Sequence, residues 1–562
     1  MGISWSQLRS KLLLTWSITC DLTHALFNSP FLLLRSLYTI YLRPALTPTL
    51  SLDPAPRVKS LREHQEEVEV VRRGVEVARE AGRKVVMGRQ EGEGHVARGR
   101  GYKDGAERIS MSHLNALLSI AVESRVAHVE PLVTFAGLCT ATLEKGFLPA
   151  VVPEFRSITV GGAIQGLGIE SSSWRNSTFD TSVTDATLIA GDAQIRTAKD
   201  DGELWSAVPG SCGTVALVAG SEVQLEKASP WMRVRYVRYR TPSEFGREAD
   251  CKIGSLSSEQ GEDGRSWMGS DAVMDAIAFE HGTIGMFGGC VTQEEAERLV
   301  GGSMGVYKDH PGRGFFFSHV EQIAKRDGGY VTSDTREKRK EQFGEVIHEE
   351  LIPTLEYLFR YDKGGFWAVH ALSALLPPLR LLLSRLLLPL FNTFLSTSTL
   401  YKVALLMSDQ KRENVSMLQD VDIPYSEGRF EDFVEWEREE IGVWPLWLCP
   451  VRGEHEPRVL GLGHKASDSS NPRNEDAQGR SWVMNVGLYG IPRSPRPLVD
   501  LNIELERKVT EMGGKKGLYA FVYADKEYFW SGYDREGYDA VRRKYGSEGV
   551  MMELWEKVRV RF

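Results

Sequence analysis

The stretch "SITVGGAIQGLGIESSS", residues 157–173, constrains this chain more than any other. It carries Gly161, Gly162, Gly166 and Gly168 in one short run and closes on Ser171, Ser172 and Ser173. A backbone so free of Cβ atoms belongs where something approaches closely. The residues alone leave three occupants open. One is another segment packed on a glycine turn, one a lipid headgroup, and one a phosphate-bearing cofactor cradled by successive N–H groups. A nicotinamide-type Rossmann turn fits poorly, because Glu170 stands where a third glycine is due. That fingerprint also sits near the start of its βαβ unit, whereas several elements precede this run.

The chain has 562 residues, too many for one ordinary core, so two or more domains are expected. A formal net charge of −8, with no basic and aromatic stripe, argues against a nucleic-acid partner. The six cysteines form no C-x-x-C pair and the twelve histidines no H-x-x-x-H pair. No disulfide framework and no structural metal are therefore expected.

Around the run, apolar periodicity predicts a helix in "HQEEVEVVRRGVEVAREAG", with Val68, Val71, Val75 and Ala78 on one face and Gly82 as its stop. "KVVMG" and "RVAHVEPLV" read as strands, and Thr134 caps a helix that ends at Gly146. "ATLIAGDAQIRTA" reads as a hairpin turning at Gly191-Asp192. Residues 61–230 thus form an α+β domain. Beyond it, residues 231–562 carry the strands "WMRVRYVRYRTP", "SWVMNVGLYGIPR" and "GLYAFVYADKEYFW" and an end helix, "YDAVRRKYG". Polar insertions at 251–271 and 465–481 read as surface loops. Residues 1–45 are apolar but broken by Asp21, His24, Pro30 and Arg35, which suits a membrane anchor or a buried helical hairpin. Residues 46–60 are a proline-rich linker. A second apolar region, 366–395, carries Arg380 and Arg385 among leucines and suits either membrane contact or a core helix.

The ordered motifs "VEPLV", "TVGG" to "GIESSS", "AVPGSCGT", "WPLWLCP", "GLYGIPR" and "LYAFVY" resemble those of the delta-24 sterol reductase (24-dehydrocholesterol reductase) family, within the FAD-linked oxidase superfamily. The resemblance runs from about residue 60 to the C-terminus. It implies an α+β fold: a PCMH-type, two-lobed FAD-binding domain, then an α+β substrate or cap domain, behind an N-terminal anchor. It implies non-covalent FAD, NADPH as hydride donor, a sterol or terpenoid lipid substrate, and an enzyme at the endoplasmic reticulum membrane with its catalytic part facing the cytosol. The flavin pyrophosphate would lie against Thr159, Val160, Gly161, Gly162, Gly166, Gly168, Ile169, Glu170 and Ser171. Gly213 and Thr214 would approach from the second lobe. An unconjugated alkene accepts hydride poorly, so reduction needs a positioned proton donor and exclusion of water. Tyr489, Tyr519 and Tyr523 are the candidate donors, with Glu527 behind them. Trp444 and Trp447 read as core or pocket lining, and Cys212 and Cys449 as packing residues.

Three segments depart from the family pattern. The expected first phosphate-facing loop, residues 85–105, is rich in glycine and charge and holds His95. "NSTF" at 176–179 and Ala216 each stand where the family has a glycine-containing motif. These departures keep two alternatives in view: an FAD-linked oxidase or desaturase of a specialised metabolite, and a flavin-deficient lipid-binding paralogue.

Overall fold

The computed structural model describes residues 56–88, 101–256, 266–308, 314–326, 343–373, 396–397, 416–453, 458–462 and 481–561. Leu61–Glu80 is a helix because Ser60 and Glu63 close a capping box. The Glu63 N–H donates to Ser60 Oγ at 3.2 Å and the Ser60 N–H to the Glu63 carboxylate at 2.9 Å. His64 and the four predicted apolar residues are buried, and Gly82 at φ 65° ends the helix.

Nine strands follow or flank it: β1 (Arg57–Val58), β2 (Val85–Gly88), β3 (Glu107–Ser110), β4 (Ala116–Ala121), β5 (Val126–Val129), β6 (Phe147–Pro149), β7 (Val183–Ala190), β8 (Ile195–Thr197) and β9 (Ala216–Lys227). They make a seven-stranded sheet, β1-β4-β5-β9-β7-β8 with β6 also on β9, and a small parallel pair, β2-β3. The expected hairpin is β7-β8. A buried ion pair fastens the long helix to this sheet. Lys59 Nζ and His64 Nδ1 meet the Glu130 carboxylate at 3.0 and 2.8 Å.

The second sheet is built from β10 (Trp231–Tyr239), β11 (Val273–Phe279), β12 (Gly282–Val291), β13 (Gly305–Val306), β14 (Glu345–Pro353), β15 (Met417–Pro424), β16 (Leu446–Arg452), β17 (Trp482–Gly490) and β18 (Lys515–Lys516). Its order is β13-β14-β10-β12-β11-β16-β17-β15-β18. Strand alternation splits it into two unlike faces. Met274, Val421, Leu448, Met484, Val486 and Leu488 point to one apolar cluster shared with the helices Pro242–Gly254, Glu427–Trp436 and Leu498–Glu511. Their neighbours Asp275, Asp420, Asp422, Trp447, Asn485 and Tyr489 take the opposite face.

The chain end returns to the first sheet. Met551 forms a parallel bridge with Val85, and Ser547 Oγ donates to the Val215 carbonyl at 2.6 Å. The Gly191 N–H donates to Ser547 Oγ at 3.1 Å, across 356 positions of sequence.

The glycine run, whose conformation the residues alone left open, is in part a helix, Val160–Gly166, capped by Thr159. Two expectations change. "GLYAFVYADKEYFW" is not a strand beyond Lys516, because the chain turns after Gly517 and Asp525 caps the helix Lys526–Ser531. The 251–271 insertion starts inside a helix, and its Trp267 is fully buried, donating to the Pro149 carbonyl at 3.0 Å. The central part of that insertion (257–265), most of the second one (463–480), His95 with its loop (89–100), the 1–45 anchor and residues 374–395 lie outside the described residues. Among the described residues no helix is long and apolar enough to cross a membrane. Phe366, Trp367 and Val369, which open the second apolar region, are buried.

Candidate active site

The glycine helix faces the polar side of the second sheet, and its own N–H groups are already engaged. Val160 donates to the Val133 carbonyl at 3.0 Å, Gly161 to Pro131 at 2.8 Å, and Gly162 to Thr159 Oγ1 at 3.3 Å. A Cβ on Gly161 would sit 2.6 Å from Pro131, and one on Gly168 2.9 Å from Ala163 and Pro153. These two glycines therefore serve close packing. Gly166 differs, since a Cβ there would meet nothing within 4 Å. The helix ends with Leu167 in the left-handed region, and Ile169 follows, buried.

Glu170 and Ser171 are drawn into a buried ionic cluster. Arg360 Nη2 lies 2.8 Å from both Glu170 Oε1 and Asp275 Oδ2, and none of the three side chains is exposed. Asp275 also accepts from Trp447 Nε1 and the Tyr361 hydroxyl, each at 3.0 Å. Ser171 donates from its N–H and its hydroxyl to Glu170. Burial pushes the Glu170 carboxyl up, with Arg360 pulling it back. The half-buried Glu154, beside Glu170 and Asp420, is pushed up to about 8 by desolvation.

Gly213 and Thr214 occupy a tight turn. Cys212 and Gly213 take φ 53° and 74°, and the Gly213 N–H donates to Ser211 Oγ at 3.3 Å. The Tyr538 hydroxyl donates to Thr214 Oγ1 at 2.9 Å. Cys449 is buried, and burial raises its thiol well out of the reactive range. Cys212 is half-buried, and Lys557 donates to its carbonyl.

The three candidate tyrosines separate. Tyr489 is buried, stacks on Phe366 with centroids 4.4 Å apart, and donates to the Asp420 carboxylate. Tyr519 stands beside the same Asp420 carboxylate, from a different segment. Tyr523 points elsewhere: its N–H donates to Glu506 at 2.9 Å and its ring packs edge-on to Phe521. Glu527 lies in the first turn of the helix Lys526–Ser531. Trp447 joins the aromatic cluster around Phe366, centroids 5.0 Å apart, so it is lining as expected. Asp420, Asp275 and Arg360 were missed by sequence reasoning. Only Asp275, a lone charge in the apolar stretch "AVMDAIAF", carries a local signal; Arg360 and Asp420 sit near other charged residues and carry none.

A narrow cleft, partly open to solvent, lies between the glycine helix and this face. Gly166, Leu167, Ile169 and Gly210 line one side, and Asp422, Asn485, Lys515, Lys516 and Tyr519 the other. Asn485 Nδ2 donates to Asp422 at 2.8 Å, which leaves the buried Asn485 Oδ1 without a hydrogen-bond partner. A buried acceptor of this kind calls for a donor from a bound group. A flavin ring, flat and carrying an N–H edge, meets that demand and the bare backbone at Gly166 together. The residues present therefore fit FAD.

Comparison with known proteins agrees. Residues 64–199 match the FAD binding domain family. The Homo sapiens delta(24)-sterol reductase is 26% identical over 554 residues, 97% of this chain and 93% of that protein. The Arabidopsis thaliana delta(24)-sterol reductase is 26% identical over 472 residues, 80% of this chain and 76% of that protein. Cytokinin dehydrogenase 6 of Oryza sativa subsp. japonica is 31% identical over 183 residues, 31% of this chain and 34% of that protein.

Proposed function

We propose that this chain, which resembles delta(24)-sterol reductases along nearly its whole length, is an FAD-dependent reductase of a side-chain carbon–carbon double bond in a sterol or terpenoid, with NADPH as electron donor. The observation that carries the reading is a flavin-compatible cleft beside one buried carboxylate that accepts from Tyr489 and has Tyr519 next to it. Bound FAD would supply hydride transfer between the nicotinamide and the alkene.

The chain's own residues do the rest. Residues 61–230 form the cofactor domain and residues 231–562 the substrate domain. Gly166, Ile169 and Asn485 border the flavin, while Gly161, Gly168 and the turn at Gly213-Thr214 hold the backbone that surrounds it. Thr159 caps the helix, Val160 fixes it to the Val133 segment, and Gly162 closes its first turn. Glu170 and Ser171 fix the helix to the sheet through Arg360. Phe366, Trp447 and Tyr489 form a buried aromatic layer behind the cleft that helps to keep water out. Tyr519, half-buried in the cleft wall, offers a proton to the alkene carbon that does not receive hydride. Residues 1–45 anchor the enzyme to the endoplasmic reticulum membrane with the catalytic part in the cytosol, and the later part of the second apolar region, beyond the buried Phe366, Trp367 and Val369, contacts the same surface.

The test is the visible spectrum of the detergent-solubilised protein, followed by anaerobic NADPH and then a Δ24 sterol. A flavin band that bleaches with NADPH and recovers with the sterol is the expected result. A band indifferent to NADPH but recovering rapidly in air after chemical reduction transfers the reading to an oxidase or desaturase. No band after reconstitution with FAD overturns the flavoenzyme reading in favour of a lipid-binding protein.

A further inference from the structure

The tripeptide Gly-Leu-Tyr occurs at 487–489 and again at 517–519, and both copies do the same thing. A Cβ on Gly487 would lie 2.5–2.6 Å from the Tyr489 ring, and one on Gly517 2.7 Å from the Tyr519 ring. Each tyrosine is thus folded back over the bare glycine two positions before it. The sheet register gives this a target. Asp420 lies opposite Gly487, so the Tyr489 ring crosses the vacant position straight to the Asp420 carboxylate. The Gly517 N–H donates to the Asp420 carbonyl at 2.8 Å, which brings Tyr519 to the same carboxylate from the other side. Two segments distant in sequence have each given up a side chain so that a phenol can reach one acid.

We propose that Asp420 stores the proton for the reaction and passes it through Tyr519 to the substrate, with Tyr489 as the fixed partner that positions the carboxyl. This deepens the reductase reading and rests on it. Tyr519 lines the cleft, whereas Tyr489 is sealed under Phe366, so only Tyr519 can meet a substrate there. A buried phenol is a poor acid alone, and one beside a carboxylate is poorer still, because releasing its proton would place two negative charges together. The relay removes that obstacle. The Tyr519 O–H bond breaks as the new C–H bond forms, and the Asp420 O–H bond breaks as the phenol is restored. Asp420 is left as carboxylate and takes one proton from water entering the cleft after product leaves. Bound FAD, once reduced by NADPH, would supply the two electrons as hydride, so each turnover consumes one solvent proton.

The surroundings suit a carboxyl that holds a proton near neutrality. Burial is the largest influence on Asp420 and Asp422 opposes its ionisation, while Tyr489, Tyr519 and Lys516 favour the anion. Glu154 faces it from the 150s segment. Together they place the carboxyl at about 7.

The experiment measures both half-reactions of the purified holoenzyme for wild type, Asp420→Asn, Tyr519→Phe and Tyr489→Phe. Bleaching by anaerobic NADPH should be the same in all four. The sterol-dependent reoxidation rate should fall about 10²–10³-fold in Asp420→Asn and Tyr519→Phe, with the substrate KM little changed. Wild type should lose this rate as pH rises through about 7, and Asp420→Asn should keep its residual rate flat. Infrared difference spectra of the two, titrated from pH 5 to 9, should show a protonated carboxyl band in wild type that Asp420→Asn lacks. A normal reoxidation rate in folded Asp420→Asn, or no such band, overturns the relay and leaves the reductase reading standing. Wild type that bleaches but never reoxidises with sterol overturns the reductase reading and the relay with it.

Discussion

Replacing Arg360 with methionine tests whether the seam between the glycine helix and the second sheet is held by charge. The guanidinium has no exposed surface and lies 2.8 Å from two carboxylates equally buried. Removing one partner of such a pair costs about 3–5 kcal/mol, because the remaining charge is left uncompensated. Asp275 keeps donors in Trp447 and Tyr361, and Glu170 keeps Ser171, so the loss at pH 8 should fall near the lower end, about 3 kcal/mol. The pH dependence is more diagnostic. Without Arg360 the Glu170 carboxyl, already raised by burial, sits further above its unfolded value, so the folded state binds more protons than the unfolded one. Stability then falls as pH rises, and acidification restores about 1.4 kcal/mol per pH unit as Glu170 takes up its proton. Guanidinium denaturation followed by tryptophan fluorescence at pH 8, 6.5 and 5 should show the deficit shrinking. Asp275→Asn in the Arg360→Met background should recover about 1–2 kcal/mol. A deficit below about 1 kcal/mol, or one unchanged with pH, would refute the reasoning.

Other substitutions separate packing from binding. Gly166→Ala should leave the melting temperature unchanged and weaken FAD binding in a fluorescence titration, since its methyl enters open cleft, whereas Gly161→Ala should cost about 1–3 kcal/mol through its collision with Pro131. Gly487→Ala should displace the Tyr489 ring and shift the infrared band of the protonated Asp420 carboxyl without removing the hydroxyl. Tyr538→Phe should destabilise by about 1–3 kcal/mol in thermal melts, because its hydroxyl serves Thr214, Arg542 and the Leu554 N–H together. Glu437 is buried and pushed up to about 8, chiefly by desolvation, so its folded form holds a proton that the unfolded form releases. Wild type should therefore lose stability as pH rises from about 4.5 through 8, and Glu437→Gln should match it at pH 5 and exceed it at pH 9.

The sequence was most legible where the signal is local. The Ser60 helix, the Thr134 cap and the turn at Gly191 each announce themselves within a few residues. The glycine run was legible as a place of close approach but not as a helix, because its glycines pack on Pro131, Pro153 and Ala163, partners that no local pattern names. Of the proposed proton donors, Tyr489 and Tyr519 converge and Tyr523 does not, a distinction set by sheet register. Arg360 reaches back 85 positions to Asp275, and Asp420 meets a tyrosine 69 positions on. Alternation along β15 places Asp420 on the polar face, but only the pairing with β17 shows what stands opposite. The turn after Gly517 was misread as a strand because its aromatics outweighed the capping signal at Asp525.

The bond from Gly191 to Ser547 has a consequence for how the protein is made. Its two ends leave the ribosome 356 residues apart, an interval of roughly 20–70 s at about 5–20 residues per second. Throughout that time β2 lacks its bridge to Met551 and the β7–β8 turn lacks its cover. The nascent first sheet is thus born with an exposed edge that only the segment around Ser547 and Met551 can close. Premature stop codons late in the message should therefore yield chains that are degraded or held by chaperones, even when every cleft residue named above has already been synthesised.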